Sequence, residues 1–337
     1  MTRHVIDPMD DATRWSAFTT DGATPSTRLS MADESVIVGA GTDATSAKVT
    51  AADGADGHLL RRTMAPVDVT SSAELRLSIR ADRQADGRDR PFFVELRLAS
   101  AAMPLSHPAN TWHRLLPVRA RHTWETVRLS IDDLPAAVAG AVTTAQLRCV
   151  SAPFTAYLDD VVALRPQMVA DADRALIAAL AGITVDGTPT AVPVAVRAQS
   201  EPAPAAVALD IVQVDLRPAP LRAASVGIAR DHTSAGCRFA DPGPAYDLDY
   251  VVRPVAAARA TQAALIEAVI DRIPAYGELV VDGDRLPIEL VPSTGHTTPD
   301  APVLVYRVGV REPARVGPLM TDVVDVRTGT DQLGVRP

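Results

Sequence analysis

Lysine is almost missing from this chain. Lys48 is the only one, and the remaining basic residues are all arginine. The basic residues form no cluster, and acids outnumber bases for a net charge of −8. Nucleic-acid binding needs grouped cations on the phosphates, so the composition argues against that class. It argues against anionic membrane surfaces for the same reason. Cysteine occurs twice, at Cys149 and Cys237, too sparsely for a disulfide scaffold. Both are expected as reduced thiols, consistent with folding in a cytoplasm. Aromatic residues make up 4%, so the cores must be built from Val, Leu, Ile and Ala. No apolar run approaches the ~20 residues of a membrane-spanning helix. The start, M-T-R-H-V-I-D-P, has no apolar segment of the kind a secretion signal carries.

What is present suits a folded protein of two domains. The chain has 337 residues, 47% apolar and 22% charged. We place the boundary at residues 166–170, giving domains 1–166 and 167–337.

Residues 5–164 read as all-β. The stretch Glu74-Leu75-Arg76-Leu77-Ser78-Ile79-Arg80 alternates apolar and polar. Phe93-Val94-Glu95-Leu96-Arg97-Leu98 repeats this, and Trp124-Glu125-Thr126-Val127-Arg128-Leu129 does so less regularly. A period of two buries one face of a strand. Turn clusters at Asp53–Gly57, Ala85–Gly87 and Pro104–Pro108 separate the runs, which points to a sandwich or jelly roll. The order of landmarks adds to this. An acidic start, Asp7 to Asp11, precedes Trp15; Ser46-Ala47-Lys48-Val49 and Ile131-Asp132-Asp133-Leu134-Pro135 follow, and Ala156-Tyr157-Leu158-Asp159-Asp160-Val161 closes the half. This half resembles the galactose-binding-like jelly rolls of carbohydrate-binding modules.

Two sets of residues are candidates here. Trp112 and His113, in the stretch N-T-W-H, are placed to stack on a sugar face; the bland alternative is a Trp covering a sandwich edge. Trp15 and Trp124 read as core. The resemblance also implies a structural Ca²⁺ held by Asp7, Asp10 and Asp159, against the alternative of a solvated acidic turn. The lone G-x-G at Gly39-Ala40-Gly41 lacks the rest of a dinucleotide fingerprint and reads as a turn.

The second half mixes helices and strands. A helix is expected from Asp171 or Asp173 to a stop at Gly182. Val207 to Leu216 reads as a strand, and residues 217–244 as a long Pro/Gly/Ala-rich connection. Tyr246, Leu248, Tyr250 and Val252 share one face of the next strand, with Asp247, Asp249, Val251 and Arg253 on the other. A helix over 261–273 carries Leu265, Ile266, Val269, Ile270 and Ile273 on one stripe. Leu279-Val280-Val281, the turn Asp282-Gly283 and Leu286–Val291 suggest a hairpin; Val303–Val310 and Asp322–Val326 are further strands. The expected class is α+β, with helices on one face of a mixed sheet.

This half resembles the cap or tail-terminator proteins of contractile phage tails and contractile injection systems. The resemblance spans residues 170–328 and rests on the helix A-D-R-A-L-I, the passage P-A-P-A-A-V-A-L-D-I-V-Q-V, the strand Y-D-L-D-Y-V-V and the helix A-L-I-E-A-V-I-D-R-I-P. It implies a ring of identical subunits, typically six, that stops a tube and contacts tube and sheath proteins. It implies no enzyme, assembly in the cytoplasm, and contact segments at 217–244, 292–301 and 328–337 that order only in the ring. The alternative is a carbohydrate-binding protein acting through the jelly roll. No catalytic motif competes. The seven histidines show no metal spacing. His232 with Cys237 lacks an orienting acid. Asp247 and Asp249 read as a solvated or interfacial face.

Overall fold

The computed structural model describes residues 3–39, 45–84, 92–185, 187–192, 196, 207–219, 228–241, 243–292, 303–313 and 315–320. They separate into two compact units.

The first unit is a β-sandwich. Its strands are β1 (His4–Asp7), β2 (Ser16–Phe18), β3 (Leu29–Glu34), β4 (Ser46–Ala51), β5 (Leu59–Val67), β6 (Glu74–Ala81), β7 (Val94–Ala99), β8 (Arg114–Leu115), β9 (Glu125–Ser130), β10 (Val142–Cys149) and β11 (Phe154–Leu164). A one-turn helix, α1 (Ala136–Ala139), lies before β10. One sheet runs β3-β4-β11-β6-β9, with β1 also paired to β11. The expected alternation is what builds the interior. Leu75, Leu77 and Ile79 from β6 meet Leu96 and Leu98 from β7 and Leu147 from β10, all essentially dry. Each such side chain contributes about 1.5–3 kcal/mol by leaving water. Trp15 joins this core, whereas Trp124 is half-buried.

The second unit holds α2 (Met168–Leu180), the short pair β12 (Thr184–Val185) and β13 (Thr188–Pro189), β14 (Ala208–Pro218), β17 (Ala245–Val255), α3 (Arg259–Arg272), β18 (Tyr276–Val281), β19 (Asp284–Val291) and β20 (Leu304–Arg311). Between β14 and β17 in the chain come β15 (Ile228–Thr233) and β16 (Gly236–Asp241), and the last described strand is β21 (Arg315–Met320). The order β14-β17-β20-β19-β18 makes an antiparallel five-stranded sheet. Leu248, Tyr250 and Val252 pack with Leu176 and Leu180 of α2 and Leu265 and Val269 of α3, on the face expected from their spacing. The α3 stripe is narrower than expected, since Ile270 is exposed. Buried hydroxyls find partners: Tyr250 Oη donates to Asp173 Oδ1 at 2.7 Å, and Tyr306 Oη to the Ile273 carbonyl at 3.0 Å. Asp282 and Gly283 at the β18–β19 turn have φ of 45° and 78°, the left-handed geometry of a tight hairpin. The expected strand at 322–326 lies outside the described residues, as do 328–337 and all of 292–301 except Pro292.

The connection at 217–244 corrects the sequence expectation. Within it, β15 and β16 form a hairpin that belongs to the sandwich, not to the unit that flanks it in sequence. The other sandwich sheet therefore runs β2-β5-β10-β7-β8-β15-β16-β21. The described chain passes from one unit to the other between Arg165 and Pro166, and residues 228–241 and 316–320 return to the first unit.

Candidate functional site

The outer face of the eight-stranded sheet carries a row of polar and charged side chains from three neighbouring strands. Its geometry follows from alternation. Leu60, Leu147 and Leu96 point into the core, so the residues between them point out. Register then sets the neighbours. Gln146 lies opposite Arg61 on one side and Arg97 on the other. One step along, Arg148 lies opposite Leu59 and Glu95, and Glu95 opposite Leu115. Thr144 faces Thr63 in the next row.

Several of these groups are held in place. Arg61 Nη2 donates to Gln146 Oε1 and Nη1 to the Gly22 carbonyl, both at 3.3 Å, while its guanidinium sits 5.2 Å over the Phe18 ring. Arg97 Nη2 donates to the Asn110 carbonyl at 3.3 Å. Gln146 and Glu95 are buried, Thr63 and Arg148 exposed. The result is a ridged platform of donors and acceptors across β5, β10 and β7, with strands about 4.8 Å apart.

The β15–β16 hairpin prolongs this sheet. His232 pairs with Leu115 of β8 and rests against Phe92, ring centroids 5.0 Å apart. On the inner side, Asp231 is fully buried and accepts the Ser130 backbone N–H at 3.0 Å, capping the outermost strand of the opposite sheet. Arg114, also buried, donates to the carbonyls of His113 and Ser130, pairs with Asp133, and places Nε 4.0 Å from Asp231 Oδ2. Arg238 of the hairpin reaches Asp133 Oδ2 at 3.0 Å. A charge-keyed joint thus holds the hairpin to the sandwich.

The sequence candidates fare differently. Trp112 is 3% exposed with the Arg114 guanidinium 4.9 Å over its ring, so it presents no face to a sugar; this corrects the stacking expectation. His113 is half-buried. Its Nδ1 lies 2.9 Å from the Thr111 carbonyl, and Nε2 accepts from the Ser234 N–H at 3.0 Å, which is the arrangement of a neutral ring with its proton on Nδ1. It works as a clasp on the hairpin.

Asp7, Asp10 and Asp159 do not form the calcium set the resemblance implied. Asp7 is buried and committed: its Oδ1 accepts the Met9 N–H at 2.8 Å, and its Oδ2 accepts the Trp15 indole N–H at 2.9 Å and pairs with Arg62. Asp10 is exposed and Asp159 buried. Among the described residues no three Asp, Glu, His or Cys side chains gather as a metal group. His232 and Cys237 are cross-strand neighbours, but burial pushes the Cys237 thiol up, away from a reactive thiolate. Asp249 is spent on Arg307, whose Nε lies at 2.9 Å, and on Arg217. Asp247 shares the same charged face.

The sequence reading missed Arg61, Gln146 and Arg148. Their polar positions were visible, but the register that makes them neighbours was not.

No family profile matches the chain, and no curated protein does. The resemblance to tail-terminator and cap proteins finds no support in either comparison. Among solved structures, a family 11 carbohydrate-binding module from Clostridium thermocellum, in complex with a β-1,3-1,4-mixed-linked tetrasaccharide, is 9% identical, covering 48% of this chain and 95% of the module with a TM-score of 0.33. A family 30 module of a Clostridium thermocellum cellulosomal cellulase is 9% identical, covering 50% and 99%, TM-score 0.34. TmCBM61, in complex with β-1,4-galactotriose, is 9% identical, covering 49% and 100%, TM-score 0.31.

Proposed function

We propose that this chain is a carbohydrate-binding protein without a catalytic centre, and that the sandwich holds its ligand on the outer face of the eight-stranded sheet. One observation carries the reading: the cross-strand row Arg61–Gln146–Arg97, flanked by Arg148 and Glu95, sets directional donors and acceptors on a rigid sheet. Sugar hydroxyls both donate and accept, so they satisfy amide, guanidinium and carboxylate groups at once. A sheet holds these groups with little freedom left to lose on binding.

Affinity electrophoresis of the full chain through a panel of neutral and acidic polysaccharides tests this. At least one glycan should retard the protein, and Gln146→Ala with Arg97→Ala should weaken that retention about tenfold or more, the equivalent of one or two polar contacts. Free migration through every gel would sink the reading, as would variants that bind like the parent.

A second reading concerns the α+β unit, as a ring-forming cap, typically of six subunits, on tube and sheath proteins. What favours it is β18, which ends the five-stranded sheet and exposes Tyr276 at 79% and Val280 at 51% on one side. An edge strand beside exposed apolar side chains is suited to receiving a neighbour. Sedimentation should show an oligomer that Tyr276→Lys disperses; a monomer at every concentration, with or without tube protein, counts against it.

A further inference from the structure

Resting on the carbohydrate reading above, we propose that the ligand is an acidic polysaccharide whose uronate carboxylates are taken by Arg61, Arg97 and Arg148.

The protein as a whole is acidic, with a net charge of −8. Several of its arginines are neutralised at home: Arg62 by Asp7, Arg76 by Glu74, Arg114 by Asp133, Arg307 by Asp249. Those on the outer sheet face are not. Among the described residues Arg61, Arg97 and Arg148 make no ion pair. The local bonds of Arg61 and Arg97 go to neutral oxygens, of Gly22, Gln146 and Asn110. In the rows that hold these arginines, Glu95 is the carboxylate among the described residues; it is buried at 8% exposure and offsets a single charge of the three. A cationic face on an acidic protein attracts an anion and repels little of it.

The geometry narrows the anion. A guanidinium fork matches a planar carboxylate with two parallel bonds. Arg61 and Arg97 stand on strands separated by β10, about 10 Å apart, farther than one carboxylate reaches. A chain bearing a carboxylate at regular intervals spans that gap, while Gln146 between them meets its hydroxyls. Stacking over Phe18 and the tether to Asn110 hold Arg61 and Arg97 in place before the ligand arrives. The face carries Phe18 beneath Arg61 and the Phe92–His232 pair, so a single-stranded nucleic acid is an outcome that the test must separate.

The test uses the full chain, with polygalacturonate, its methyl ester, mixed-linkage β-glucan and single-stranded DNA as probes in titration calorimetry. Polygalacturonate should bind, its neutral ester should not, and raising salt should weaken binding. Arg148→Gln, at an exposed position that leaves the fold alone, should cost about tenfold, as should Arg97→Gln. Equal binding of the ester or of β-glucan would overturn the acidic ligand while leaving a carbohydrate site standing. Binding to none of the sugars would remove both. Equal binding of DNA would show a generic polyanion surface and overturn this proposal.

Discussion

Replacing Asp231 by alanine is expected to destabilise the protein by about 3–5 kcal/mol, the usual effect of removing one member of a buried charged pair. Asp231 has no exposure, and Arg114 has 1%. Their closest approach, Arg114 Nε to Asp231 Oδ2, is 4.0 Å, and neither atom has a hydrogen-bond partner. The attraction between them is therefore electrostatic and acts in a medium where water is scarce. Asp231 also accepts the Ser130 N–H, on the strand at the end of the β3–β9 sheet. Alanine removes both at once, leaving an amide without its acceptor and a guanidinium relying on Asp133, which is 38% exposed. Asparagine keeps an acceptor and loses the charge, so Asp231→Asn should fall between parent and Asp231→Ala. Urea unfolding measures the difference, and hydrogen exchange at Ser130 locates it. An Asp231→Ala protein within about 1 kcal/mol of the parent would show that the joint contributes little.

Ending the chain at Arg165 should do at least as much damage. Such a fragment contains β1 to β11 and looks like a complete jelly roll in the sequence. It lacks the hairpin that pairs with β8, and β8 is two residues long. The fragment would keep Arg114 in its interior with Asp231 gone, and would lose the Ser234 contact to His113 and the Arg238 contact to Asp133. It would also end its second sheet on an open edge, which invites association with other chains. We expect a fragment that aggregates or melts well below the full chain. Appending residues 228–241 through a flexible linker should recover part of the loss. A monomeric fragment of residues 3–165 as stable as the full chain would refute this.

The strands and helices of the two cores were legible in the residues themselves. Leu75, Leu77 and Ile79 alternate, and they are the core side of β6. Leu248, Tyr250 and Val252 alternate, and α2 and α3 cover them. Asp282-Gly283 announced a tight turn and forms one. These are local facts: a period of two or 3.6 and a residue's tolerance for positive φ act over a few neighbours.

The hairpin, the joint and the platform were not legible. Residues 217–244 look like a loop because Pro, Gly and Ala dominate them, and because the partner of β15 lies more than a hundred residues earlier. Arg114 and Asp231 carry charges that hydropathy assigns to water, yet each is buried because the other is. Trp112 looked available for a ligand because its stretch reads as a loop; Arg114 covers it. Gln146 became the centre of a site only when the register set it between Arg61 and Arg97. The sequence by itself determined which faces must leave water, because that depends on the side chain alone. Tertiary structure alone decided which distant strands became neighbours and which charges were paired or left open, because those energies exist only once two remote segments touch.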